Sequence, residues 1–209
     1  MDDPRKEDRR APADHPIHEL IRGRWSPYAF APEGVPVADL LGLFEAARWA
    51  PSSFNEQPWR YLAARREDGT SFGKLLGCLM EPNRVWAQHA GVLVLTVART
   101  TLTRNGKPNG KALHDVGLAS AQLTVEAAAR GLAVHQMGGI LPDRAREEFG
   151  IPADFEPVTA LAIGRPGDPG ILPESLRERD GEPRVRRALE GTVFGPVWGE
   201  PAPFLEESK

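Results

Sequence analysis

Between Ser52 and Gln57 the chain sets two hydroxyls and two carboxamides within six positions, in 51-PSSFNEQPWR-60. A plain connection needs a turn residue or two, so this surplus of neutral donors and acceptors suits a flat ligand with a polar edge. Asn and Gln donate and accept at once without carrying charge. Other polar clusters stand apart from it in sequence. The segment 22-RGRWSPYAF-30 carries Arg22, Arg24 and Ser26 at a helix end, and 184-RVRR-187 adds more guanidiniums. Guanidinium forks bind phosphate bidentately. Asn83 precedes Trp86, and 135-HQMGGI-140 places Gly138 and Gly139 at a strand end, where backbone N–H groups can face a ligand.

Regular elements must hold these clusters in place. Residues 16–26 read as a short helix ending near Gly23, and 37–49 as an amphipathic helix with Val37, Leu40, Leu41, Phe44 and Ala47 on one face. A strand follows at 59–64, then a helix over 70–80 capped by Thr70 or Ser71. A turn of helix at 83–89 leads into the apolar strand 91–98. After the polar loop 99–111 runs the longest helix, about 112–130, closed by Gly131. A strand at 132–136, the turn Met137-Gly138-Gly139, a helix at 142–149 and a strand at 157–163 complete the pattern. The fold class this predicts is α+β, with helices covering a small central mixed or antiparallel sheet. The small residues of helix 112–130, from Ala112 through Gly117 to Ala129, predict a tightly packed element at a dimer interface, with the high helix propensity of Ala as the alternative reason for them. Beyond Gly164 the chain lacks periodicity, so it either packs along its own domain or wraps a partner subunit.

Composition narrows the function classes. With 209 residues, 41% hydrophobic and 26% charged, the chain reads as a single globular domain over 16–209, with an extended tail from about 166. A net charge of −3 gives no general attraction to nucleic acid or anionic membrane. The run 90-AGVLVLTVA-98 is far short of the ~20 residues a membrane span needs. Residues 1–15 read as a charged, disordered arm without the apolar core of a secretory signal. One cysteine, Cys78, leaves no internal disulfide and suits a reducing cytoplasm. No G-x-G-x-x-G, Walker A, H-E-x-x-H or G-x-S-x-G pattern is present, and the five histidines lack metal-ligand spacing. Each histidine reads first as structural, with His114-Asp115 as a capping pair.

The clusters together supply a phosphate site, amides for a heterocycle edge and free backbone donors. Isoalloxazine presents an acceptor–donor–acceptor row along its pyrimidine rim and carries a ribityl phosphate, so half of a flavin pocket is one use for the Ser52–Gln57 loop.

The same residues resemble the nitroreductase family of FMN-dependent oxidoreductases. The pattern R-x-S-x-x-x-F stands at Arg24 to Phe30, and A-P-S-S-x-N-x-Q-P-W is intact from Ala50 to Trp59. The spacing N-x-x-W-x-x-x-A is met by Asn83, Trp86 and Ala90. A helix–Gly–strand–GG passage spans 115–140, and R-R-x-L-E followed by an aromatic-Gly-Glu turn spans Arg186 to Glu200. The resemblance implies a homodimer with FMN at the subunit interface and a tail that wraps the partner. It implies that Arg24 and Ser26 hold the phosphate and ribityl chain, with Trp25 and Tyr28 in the same binding segment and Arg184 and Arg186 joining from the tail. Asn83 would meet the pyrimidine edge. Pro51, Ser52, Ser53 and Asn55 would come from the other subunit, with Gln57 bracing their loop. Gly138 and Gly139 would donate near N5 and O4, while Gln136 and Met137 line the ring.

Many relatives carry Lys or Arg where this chain has Tyr28, and a cation there stabilises negative charge on the reduced ring. Tyr28 therefore predicts a lower reduction potential. Phe54 is a candidate pocket wall or an ordinary core residue. The implied activity is ping-pong hydride transfer from NAD(P)H, through the flavin, to a nitroaromatic, quinone or activated alkene. It needs no catalytic side chain and no metal, since the cofactor performs the redox step. The residues also admit a flavoenzyme that oxidises a specialised substrate with oxygen, a non-catalytic flavin-binding protein, and a cofactor-free dimeric module.

Overall fold

The alternating apolar run VLVLTVA is the axis of the fold, because both of its faces are covered. In the computed structural model, which describes residues 9–207, four strands form one sheet: β1 (Trp59–Arg65), β2 (Val92–Arg99), β3 (Ala133–Met137) and β4 (Phe155–Gly164). Their order is β1-β2-β4-β3, and every pairing is antiparallel, so the sheet is antiparallel rather than mixed. Leu93, Leu95 and Val97 enter one core, while Val92, Val94 and Ala98 enter the other. On β4 the register slips between Thr96 and Val97 of its partner, leaving Val158 as an extra residue. Such a bulge reverses the in–out phase of the strand beyond it. Ala160 and Ala162 accordingly face the first core, and Leu161 and Ile163 the second.

Helices α1 (Glu19–Gly23), α2 (Val37–Arg48), α3 (Gly69–Gly77), α4 (Glu81–Ala87), α5 (Ala112–Ala129), α6 (Pro142–Phe149) and α7 (Glu174–Gly181) surround the sheet. Phe72, Leu75, Trp86 and Ala145, from α3, α4 and α6, fill the first core. Leu40, Leu43 and Ala47 of α2 and Val116, Ala119, Leu123 and Ala127 of α5 fill the second. Small residues on α5 let α2 and the sheet close on it. Gly131, at φ +70°, ends α5 with paired bonds from Gly131 N–H to Ala128 O (3.1 Å) and Leu132 N–H to Ala127 O (2.8 Å).

Several sequence expectations need correction. On α2 the inward face is Leu40, Leu43 and Ala47, whereas Val37 and Leu41 are 54% and 67% exposed. The cap of α3 is Asp68, whose carboxylate accepts the Ser71 N–H, so Ser71 is the capped residue and not the cap. The tail contains α7, whose sequence ESLRERDG turns only Leu176 and Asp180 inward and so offers little periodicity to read. Up to Arg184 the tail is stitched to its own domain: Gly167 N–H donates to Ala29 O, Leu172 is buried, and Arg184 donates to Arg22 O. Residues 1–8 of the expected arm lie outside the described residues; within 9–15, Ala11 N–H donates to Arg22 O and Arg9 donates to Glu182 O.

Candidate functional site

The segment after α1 and the end of α7 meet along one trough. Asp180, 8% exposed, accepts the Tyr28 N–H at 2.8 Å, which fixes the strand-like stretch 24–30 against the tail. Two adjoining cavities share Tyr28 and Arg179.

The first, of about 290 Å³, is lined by Arg24, Trp25, Ser26, Arg184 and Arg186. Arg184 is held by main-chain acceptors, donating to Arg9 O (2.7 Å) and Arg22 O (2.9 Å). No carboxylate pairs with Arg24, Arg184 or Arg186 among the described residues. Burial, and then the neighbouring Arg186 charge, push the Arg24 guanidinium below its ordinary range. Arg184 is lowered likewise, by burial and then by Arg24 and Arg186. Asp180 and Glu182 also line this cavity, but neither pairs with the three arginines, and convergent cations that repel one another without a bonded carboxylate form a site suited to an anion.

The second cavity, of about 350 Å³, is lined by Tyr28, Met80, Asn83, Trp86, His135 and the backbone turn Met137–Gly139. Trp86 is buried and meets Tyr28 edge-on at 5.2 Å and His135 at 4.4 Å between centroids. His135 Nδ1–H donates to Pro27 O at 3.0 Å, and burial depresses its pKa, so the ring is neutral at pH 7. Asn83 Nδ2 donates to Gly139 O at 3.0 Å, and its Oδ1 accepts from no donor among the described residues. A Cβ on Gly139 would stand 2.6 Å from that nitrogen, so only glycine lets the amide lie there. The N–H groups of Gly138 and Gly139 donate to nothing among the described residues. Gln136 also lines the cavity, while its side-chain amide donates to Thr124 of α5.

Pro51, Ser52, Ser53, Asn55 and Gln57 line neither cavity. Their loop is held in a strained form, with Phe54, Asn55 and Gln57 at φ of 54°, 53° and 46°. The supports are specific. Buried Asp115, in the first turn of α5, accepts the Ser53 N–H at 3.0 Å, Ser52 Oγ accepts the Gln57 N–H, and Glu56 accepts both the N–H and the hydroxyl of Thr103. Phe54 is 73% exposed, with Arg104 stacked 4.2 Å above its ring, so it is a surface wall and not a core residue. Beside the loop, Leu113, Gly117 and Ala121 make an exposed stripe along α5.

Sequence reasoning missed Arg179, Asp180, His135 and Asp115. The first two lie in a polar helix without pattern. The pairing of Asp115 with His114 exists at 3.0 Å through one carboxylate oxygen, while the other accepts the Ser53 N–H at the same distance.

The α+β scaffold that carries this trough is shared with known proteins. The model of the Nitroreductase family matches residues 21–165, and the chain belongs to that family of oxidoreductases. A solved oxidoreductase described as containing FMN is 35% identical, with a TM-score of 0.85 over 90% of this chain and 96% of its own. An uncharacterized 15.4 kDa protein of Mycolicibacterium smegmatis is 36% identical over 149 residues, covering 68% of this chain and 99% of its own. A protein of Streptomyces coelicolor, described as a putative NADH dehydrogenase/NAD(P)H nitroreductase, is 29% identical over 68% of this chain and 79% of its own.

Proposed function

We propose that the chain is a homodimeric FMN-dependent oxidoreductase that passes hydride from NAD(P)H to an electron-poor small acceptor in alternating visits to one site. The observation that carries this reading is the trough itself. Its guanidiniums, paired with no carboxylate among the described residues, suit a phosphate, and its free Asn83 Oδ1 and glycine N–H groups suit the rim of a flat heterocycle. When bound, FMN supplies the hydride-accepting atom. The chain's own residues bind, orient and screen: Arg24 and Arg184 hold the anionic end, Asn83 and the Gly138–Gly139 turn fix the ring edge, and Tyr28 and Trp86 wall the junction. No side chain is assigned a proton or a covalent bond.

The dimer completes the site. Pro51 to Gln57 stand apart from their own trough, yet they are held in a strained shape, anchored on Asp115 of α5, with Phe54 and Leu113 exposed. Such an apolar surface suits a second copy, and the tail supplies exposed Val185, Val197 and Trp198 to clasp it. A reducing cytoplasm suits buried, unpaired Cys78, and among the described residues no helix is long and apolar enough to cross a membrane.

The deciding experiment is the visible spectrum of the purified protein, followed by anaerobic addition of NADH and NADPH. A yellow protein bleached by either and recoloured by a quinone or nitroaromatic is expected. Colourless protein that refuses added FMN ends the proposal, while sluggish bleaching by both nicotinamides selects an oxidase of another substrate. Gly139→Ala should displace the Asn83 amide and weaken FMN binding by about tenfold, the worth of one good hydrogen bond. Titration of flavin fluorescence measures it.

A further inference from the structure

Among the residues that line the ring-side cavity, Arg179 is the one that carries charge, since His135 is neutral there. Its guanidinium carbon stands 5.6 Å from the centroid of the Tyr28 ring, at the junction of the two cavities. It forms no ion pair among the described residues, and the neighbouring Asp180 is committed to the Tyr28 N–H. A ring face does not neutralise a cation as a carboxylate does, so the charge remains available to the trough. Its field reaches His135, whose pKa it lowers after burial, against the stronger opposing influence of the Asp180 carboxylate.

We infer that Arg179 is a positioning residue that sets the redox balance of the bound cofactor, by holding positive charge at the junction of phosphate and ring sites. This rests on the FMN reading above. In FMN the ribityl chain leaves the ring at N10, and N1 is its neighbour on the pyrimidine side. A ligand with its phosphate at Arg24 and its pyrimidine rim at Asn83 must turn N1–C2=O towards that junction. Two-electron reduction by hydride, which adds no proton at N1, leaves the extra negative charge on that edge. Arg179 therefore favours the reduced form over the oxidised one. The tail supplies the cation that position 28 lacks, which reverses the low potential expected from Tyr28 alone.

The test compares wild type, Arg179→Gln, Arg179→Lys and Arg177→Gln, the last an exposed arginine of α7 that lines neither cavity. Each FMN-loaded protein is titrated for midpoint potential against a reference dye, and for affinity towards oxidised FMN. Arg179→Gln is expected to weaken reduced against oxidised binding about tenfold, a fall of about 30 mV for a two-electron couple. Oxidised FMN should bind nearly as before, Arg179→Lys should keep most of the potential, and Arg177→Gln should leave it unmoved. A potential within about 10 mV of wild type in Arg179→Gln overturns the assignment, since that is a factor near two. An equal fall in Arg177→Gln overturns it as a general charge effect. Loss of oxidised FMN from Arg179→Gln overturns it too, by making Arg179 a plain anchor. A wild-type chain that takes up no FMN overturns this inference and the proposed function together, which separates the two failures.

Discussion

Replacing Arg24 with alanine should weaken FMN binding roughly 10- to 100-fold while leaving the cofactor-free protein as stable as wild type or slightly more so. The two halves of this expectation share one cause. A charge-assisted hydrogen bond to a phosphate contributes about 1.5–3 kcal/mol, which sets the loss of affinity. In the free protein the same guanidinium is half-buried, faces Arg184 and Arg186, and has no carboxylate among the described residues. Removing it relieves repulsion and restores no unpaired anion, so the fold loses little. Arg184→Ala should differ, because Arg184 also ties the tail to Arg9 O and Arg22 O and its loss should lower the thermal midpoint as well. Flavin fluorescence gives the affinities and thermal unfolding of the cofactor-free proteins gives the midpoints. A large drop in the Arg24→Ala midpoint would show that the cluster is structural and not a prepared anion site. The affinity of wild type should also fall as salt is added, since the arginines are only partly buried.

The parts of this fold legible in the sequence are those where one local rule decides. The β2 run, the Gly131 stop and the boundaries of α6 follow from hydropathy, a positive φ and Pro142. What escaped the sequence is set by tertiary contact. Leu41 looks like a core residue on a helical wheel and is exposed, because α5 and the sheet meet α2 along Leu40, Leu43 and Ala47. Helix α7 has almost no apolar face, and it is held by Leu176 against the first core and by the Asp180 carboxylate on a backbone N–H far away in the chain. Arg179 is legible only once that bond is known. The candidate site behaved similarly. Polar type and spacing pointed to Arg24, Asn83 and Gly139, whereas the bond from the Gln136 amide to Thr124 depended on the packing of α5. The loop 51–57 shows chemistry in its letters, but its strained backbone and its anchor on Asp115 appear only in three dimensions.

That separation between the loop and its own trough leads to the sharpest expected result, a recovery of activity from two inactive proteins. Arg24→Glu reverses charge in the anion cavity, and Ser52→Trp both removes the oxygen that accepts the Gln57 N–H and places an indole on the loop. Each homodimer carries two broken sites and should be inactive. If the loop serves the neighbouring subunit, a mixed dimer pairs the intact Arg24 of one chain with the intact loop of the other, giving one working site and one with both faults. An isologous two-fold dimer that reassorts at random makes half of its dimers mixed, so about a quarter of wild-type activity should return. If loop and trough act within one chain, every site keeps one fault and mixing restores nothing. Unfolding and refolding the two variants together, with each refolded alone as control, makes the measurement. The reason to expect recovery is physical: three residues held at positive φ by buried and charged anchors are costly to maintain. A chain that lines its own cavities with other residues has use for that shape only where it meets something else, and the exposed Phe54 and the exposed Leu113 of the helix that anchors the loop make a second copy the fitting surface.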